Sequence, residues 1–139
     1  MILDAAVIVV TYNHAAHIGP CLESLTALEP APAELIVIDN GSRDGTPALI
    51  RRDFPEVRLI EAGANLGFAG GCNLGARATN ADLIVLANPD LIVPPEWLGL
   101  LLKPFERDEG IAIVGGKLRY PDGRIQHAGG AVLLPLGLS

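Results

Sequence analysis

The side chains best placed to do chemistry sit just after short apolar runs. Asn88-Pro89-Asp90 closes the run Leu83-Ile84-Val85-Leu86-Ala87. A run of this length bounded by turn residues reads as a strand buried on both faces. Pro89 has no backbone N–H, so the sheet ladder must end there. Asp90 then lies just past the carboxyl end of a central strand, the edge at which open α/β sheets bind ligands. A carboxylate at that edge suits a hard divalent cation, Mg2+ or Mn2+. Asp90 is therefore read as a candidate metal ligand.

Three other polar clusters follow apolar runs in the same way. Thr11-Tyr12-Asn13 follows Ala6–Val10. Asp39-Asn40-Gly41-Ser42-Arg43-Asp44-Gly45-Thr46 follows Leu35–Ile38 and is dense in turn formers. The stretch from Asn65 to Gly75 follows Val57–Glu61. Its Gly67, Gly70 and Gly71 permit close backbone approach. A glycine-rich helix start also presents free N–H groups to phosphate, and Asn73 is expected near that start. Each cluster has a plainer reading as a turn, as strand-end packing of the Tyr12 ring, or as a helix–sheet contact needing small residues. Four clusters on one edge weigh against coincidence.

The elements that must position these residues alternate. Apolar spacing predicts a helix over 18–28, ended by Glu29-Pro30-Ala31-Pro32. Thr46 is expected as an N-cap with Pro47 at the first helical position, the helix running to about Asp53. A helix carrying Asn73 and Leu74 is expected to reach about Thr79. Another is expected to start at Pro95-Glu96-Trp97 and run to about Arg107. Ile111–Val114 reads as a fifth buried strand. Pro121-Asp122-Gly123 reads as the turn of a hairpin between 117–120 and 124–127. The order β-α-β-α-β-α-β-α-β plus a hairpin predicts an α/β fold with a mostly parallel sheet and right-handed crossovers.

These motifs, taken in order, resemble a family 2 glycosyltransferase of the GT-A fold, in its rhamnosyltransferase-like branch. The resemblance rests on Val9-Val10-Thr11-Tyr12-Asn13, Val37-Ile38-Asp39-Asn40-Gly41-Ser42 with Asp44-Gly45-Thr46, the Asn65–Gly75 stretch, and Asn88-Pro89-Asp90. Gly115-Gly116 and the run 122–130 extend it over nearly the whole chain. It implies transfer of a sugar from a nucleotide-diphosphate donor to a glycan or lipid-linked acceptor hydroxyl, in cell-surface polysaccharide synthesis. Thr11 and Tyr12 would line the nucleoside pocket and Asp39 would bond the base. Asn13, Asn65, Gly67, Asn73, Asn88 and Asp90 would complete the donor site, with Asp90 holding Mg2+ or Mn2+ against the diphosphate. Asn88 stands where the family's first motif Asp is usual, which leaves one formal charge there. The family's inverting members use a carboxylate base from the second half. No Asp or Glu follows Asp122, so that base and the acceptor half are expected beyond residue 139, and residues 1–139 are read as one donor-binding domain.

Composition narrows the alternatives. The 139 residues are enough for a real core, and 50% are hydrophobic, which argues against disorder. A net charge of −6 argues against nucleic-acid binding. Cys21 and Cys72 have no metal or disulfide-framework spacing and read as reduced, buried thiols of a cytoplasmic protein. No run approaches a membrane span and no signal sequence is apparent, leaving at most peripheral attachment at the inner membrane face. His14 and His17 lack further ligands and do not read as a metal site, and His127 reads as structural. A nucleotidyltransferase or nicotinamide-dependent dehydrogenase would carry a Gly-rich loop after strand 1, which Thr11-Tyr12-Asn13-His14 is not. The mean hydropathy of +0.38 and the apolar stretch 130–139 favour a competing reading, a non-catalytic nucleotide-sugar-binding or assembly module that self-associates through hairpin and tail.

Overall fold

A computed structural model describes residues 4–129. The chain forms two compact units, Met1–Gly99 and Leu100–Ser139. In the first, four parallel strands form one sheet: β1 (Ala5–Thr11), β2 (Glu34–Asp39), β3 (Arg58–Glu61) and β4 (Leu83–Ala87), in the order β3-β2-β1-β4. Every residue of β1 is buried, as expected of a strand flanked on both sides and covered on both faces. The register pairs Thr11 with Asp39 and Asp39 with Glu61, so the ends of the first three strands lie level.

Three helices connect the strands: α1 (Ile18–Thr26), α2 (Thr46–Asp53) and α3 (Gly67–Arg77). Ile8, Val10, Ile36 and Ile38 form a buried cluster, and Cys72, Leu74 and Ala76 of α3 pack against it. Alternation along a strand puts Val7, Val9 and Val37 on the other face. These are buried too, as are Ile18, Cys21, Leu22 and Leu25 of α1 and Ile50 of α2. Gly71 and Gly75 let α3 lie close to the sheet. A Cβ on Gly71 would stand 2.6 Å from Val10 Cγ1, and one on Gly75 2.6 Å from Ile8 Cγ2.

A further helix, α4 (Trp97–Arg107), spans the boundary between the units. The second unit holds the antiparallel hairpin β5 (Leu118–Arg119) and β6 (Ile125–His127). Its turn is closed by Tyr120 N–H on Arg124 O and Gly123 N–H on Tyr120 O. Asp122 is absorbed by that turn, accepting from the Arg124 backbone and guanidinium.

Several expectations need correction. Ile111–Val114 is not a strand, and Ile113 is 89% exposed. An apolar run becomes a strand only where a neighbour pairs its backbone, and among the described residues this one has no such neighbour. β4 is not central but stands at the end of the sheet, with Ile84 and Leu86 about half exposed. Its unbroken apolar run implied two covered faces, and one is open among the described residues. Gly45, not Thr46, is the N-cap of α2, and Thr46 is the first helical residue. The helix of Asn73 begins at Gly67, so Asn73 is well inside it. α4 begins at Trp97, the last of the three residues expected to start it, and Pro94 and Pro95 lie in a preceding turn closed by Trp97 N–H on Pro94 O, not in the first helical turn. The stretch 130–139, on which the self-association expectation rests, lies outside the described residues.

Candidate donor site

Two adjoining cavities open at the carboxyl ends of the strands. The first, of about 430 Å³, is lined by Thr11, Tyr12 and His14 after β1, Gly67 and Phe68 at the start of α3, and Asn88 to Asp90 after β4. The second, of about 460 Å³, is lined by Asp39, Ser42 and Arg43 after β2 and by Glu61 and Ala64 after β3. Tyr12, Asn40 and Asn65 line both.

The floor between them is polar and incompletely bonded. Asp39 is 1% exposed, and its Oδ2 accepts the N–H groups of Gly41 at 3.1 Å and Ser42 at 2.9 Å. Its Oδ1 is buried with no partner. Asn40 is also buried, and its Nδ2 donates to Gly67 O at 2.9 Å. That bond fixes the amide so that Oδ1 is an acceptor, and it too has no partner. Thr11 Oγ1 is the third such atom. Buried polar atoms cost free energy when unpaired, and native proteins leave few of them. Three at one sheet edge mark a place for a hydrogen-bonding ligand.

The loops that carry these residues clasp one another. Asn13 has φ +54°, a left-handed conformation that Asn tolerates. Its N–H donates to Ser42 Oγ at 2.8 Å, and its Oδ1 accepts from Arg43 N at 2.8 Å. Asp44 accepts Ala15 N–H through Oδ2 at 2.9 Å and the Thr46 hydroxyl through Oδ1 at 2.5 Å. Thr46 Oγ1 in turn accepts His14 N–H at 3.1 Å. The Thr46 hydroxyl and the Ala15 amide hold the Asp44 carboxyl below its ordinary range. Asn65 Oδ1 accepts Gly67 N–H at 2.9 Å, turning the chain into α3, and Gly67 takes φ +71° there, a conformation costly for other residues.

The loop of Asp90 is gripped from below by α1. The Cys21 thiol donates to Asn88 O at 3.5 Å, and Ser24 Oγ accepts Val93 N–H at 3.2 Å. Burial pushes the Cys21 thiol up to about 11. Cys21 is buried and Cys72 partly so, and both are free.

The structure thus brings Thr11, Tyr12, Asp39, Asn65, Gly67, Asn88 and Asp90 to the lining of the two cavities. Asn13 lines neither and spends its side chain on the loop clasp. Asn73 is exposed on α3 and lines neither. It lies two residues from Gly71 and Gly75, which face the sheet, so the helical period turns it away. Asn40, not among the expected site residues, and His14, set aside as a metal ligand, also line the first cavity. Asn40 was legible only as part of a turn, because composition does not show which turn residue is buried.

Residues 6–129 match the model of the family described as Glycosyl transferase family 2. The chain belongs to that family. It is 35% identical over 130 residues to an N-acetylglucosaminyl-diphospho-decaprenol L-rhamnosyltransferase of Mycobacterium tuberculosis, an alignment covering 86% of this chain and 42% of the relative. It is 35% identical over 101 residues to the succinoglycan biosynthesis protein ExoO of Rhizobium meliloti, covering 72% of this chain and 29% of that one. The chain therefore spans less than half the length of these family 2 relatives. Among solved structures, the mannosyltransferase PcManGT of Pyrobaculum calidifontis, in complex with GDP-Man and Mn2+, superposes with a TM-score of 0.69 at 28% identity. That superposition covers 76% of this chain and 33% of that one. Glucosyl-3-phosphoglycerate synthase of M. tuberculosis, in complex with UDP, gives 0.65 at 25% identity over 78% of this chain and 42% of that one. The GT-A expectation of a mostly parallel α/β sheet plus a small hairpin holds.

Proposed function

We propose that this chain forms the donor-binding part of a glycosyltransferase that moves a sugar from a nucleotide diphosphate to an acceptor hydroxyl. The observation that carries the reading is the buried, unpartnered set Thr11 Oγ1, Asp39 Oδ1 and Asn40 Oδ1 on the floor of two adjoining cavities. The second cavity takes the nucleoside, with Asp39 accepting a base N–H and the Tyr12 ring offering an apolar face. The first takes the diphosphate and sugar.

A divalent cation fits the first cavity. Of the residues lining it, Asp90 alone carries a formal charge, and no Lys or Arg is among them. A diphosphate placed there needs cationic compensation from elsewhere. Among the described residues no three His, Cys, Asp or Glu side chains cluster as a metal site. One carboxylate with phosphate oxygens completing the shell is the arrangement Mg2+ and Mn2+ favour. Asp90 would hold the ion, which when bound would neutralise charge on the leaving nucleotide diphosphate. Asn88, next to it, orients the Asp90 turn and bonds the ribose or diphosphate.

The reading extends to an inverting transfer onto a lipid-linked or glycan acceptor in cell-surface polysaccharide synthesis. The acceptor class is supported by the relatives, a rhamnosyltransferase named for a lipid-linked substrate and a succinoglycan biosynthesis protein. No helix among the described residues is long and apolar enough to cross a membrane. Calorimetric titration of the intact protein with UDP, dTDP and GDP, each with and without Mn2+, tests the donor site. Saturable binding of at least one, strengthened by Mn2+, is expected. No binding of any of them would refute it.

A further inference from the structure

His14 lines the first cavity, and the backbone engages one of its ring nitrogens. Tyr12 donates its N–H to His14 Nδ1 at 3.2 Å. A ring nitrogen that accepts carries no proton, so the neutral imidazole has its proton on Nε2, which is a donor. The residue itself is held on both sides. Its N–H goes to Thr46 Oγ1 at 3.1 Å, and its carbonyl accepts the N–H groups of His17 and Ile18 at 2.9 Å each. His14 is half-buried and lines the same cavity as Asp90.

His14 Nε2–H adds a donor to those that already line the cavity, the hydroxyls of Thr11 and Tyr12 among them. Asn88, Asn65 and Asn40 contribute amides, Asn40 has spent its N–H on Gly67, and Asp90 is an acceptor that repels bare phosphate. A cation on Asp90 can reach only some of the oxygens of a diphosphate. The others need N–H or O–H donors, and a charged acceptor makes such bonds strong.

We propose that His14 is a donor-binding residue whose neutral Nε2–H bonds a diphosphate oxygen. The inference deepens the donor-site reading and rests on it. Asp44 and Thr46 then act through His14, as positioning residues that set the height of the ring over the cavity.

The test uses two variants that split the imidazole. In His14→Asn the amide oxygen can still accept from Tyr12 N–H, but nothing reaches the Nε2 position. In His14→Gln an N–H can reach the Nε2 position, but the Tyr12 bond is lost. Affinities for uridine and UDP (or thymidine and dTDP, whichever pair the wild type binds) are measured by calorimetry at fixed Mn2+, with melting temperature as a check on folding. The expected result is that His14→Asn binds the diphosphate about tenfold more weakly with nucleoside affinity unchanged. His14→Gln should keep the diphosphate affinity within about threefold. Wild-type affinities in His14→Asn, or an equal loss for nucleoside and diphosphate, would overturn the role of His14 and leave the donor site standing. A wild type that binds neither nucleosides nor diphosphates would overturn both.

Discussion

Thr11 and Asp39 are direct partners in the parallel register of β1 and β2, and both are buried. Each carries one oxygen with no hydrogen-bond partner. Neighbouring strands are about 4.8 Å apart, so one planar ligand can span both residues. Sheet register thus sets these two oxygens side by side, and the loops supply most of the remaining lining.

Asp39→Asn tests the acceptor. The Asn side-chain oxygen can keep the bonds from Gly41 and Ser42, while an NH2 replaces the unpartnered oxygen. The variant should fold with a melting temperature near wild type and bind the nucleoside at least about tenfold more weakly by calorimetry. Unchanged nucleoside affinity would remove Asp39 from the base.

Gly71→Ala tests the helix–sheet contact. The added methyl would meet Val10 Cγ1 at 2.6 Å and Asn40 Nδ2 at 3.3 Å. Overpacking of this kind costs about 1–3 kcal/mol, readable as a lower urea midpoint. Gly19, in α1, has nothing within 4 Å of the position its Cβ would take. Gly19→Ala should be neutral or stabilise by up to about 1 kcal/mol.

Much of this was readable beforehand, and the reasons differ by residue. Ala6–Val10 and Leu35–Ile38 announced buried strands because both their faces are covered. Ile84 and Leu86 have the same apolar character, yet one face of β4 is open, since a run of side chains does not report what lies opposite. Asn73 shared a motif with Gly67, but the helix start was hidden because Asn65 and a left-handed Gly67 make it. Asn40 was read only as a turn residue and His14 was weighed only as a metal ligand, because their places depend on where one amide or ring nitrogen is already engaged.

Cys21 gives a pH signature. Its thiol is shifted from 9.0 to about 11 by burial. The unfolded chain would lose this proton first, so stability is full below about pH 9 and falls as pH rises to about 11. The loss is on the order of 2 kcal/mol. Thermal melts at pH 8 and pH 11 should show a smaller drop in Cys21→Ala than in the wild type. The native thiol should also resist alkylation at pH 8.

Asp44 is expected to hold the loop of His14 from outside. Asp44→Ala should speed amide hydrogen exchange at Ala15 and His14 severalfold at neutral pH and leave Ile8 unchanged. Because its carboxyl is held below the ordinary range, the grip is present above that range. It is lost as pH falls through the lowered value.

Asp90 is expected to bring a divalent ion to a nucleotide diphosphate in the first cavity. The most direct measurement is calorimetry of UDP or dTDP binding, with and without Mn2+, to wild type and Asp90→Asn. The account predicts that Mn2+ strengthens binding to the wild type by tenfold or more and leaves the variant unchanged, with metal-free nucleoside affinity equal in both. An equal Mn2+ enhancement in the two proteins would contradict it.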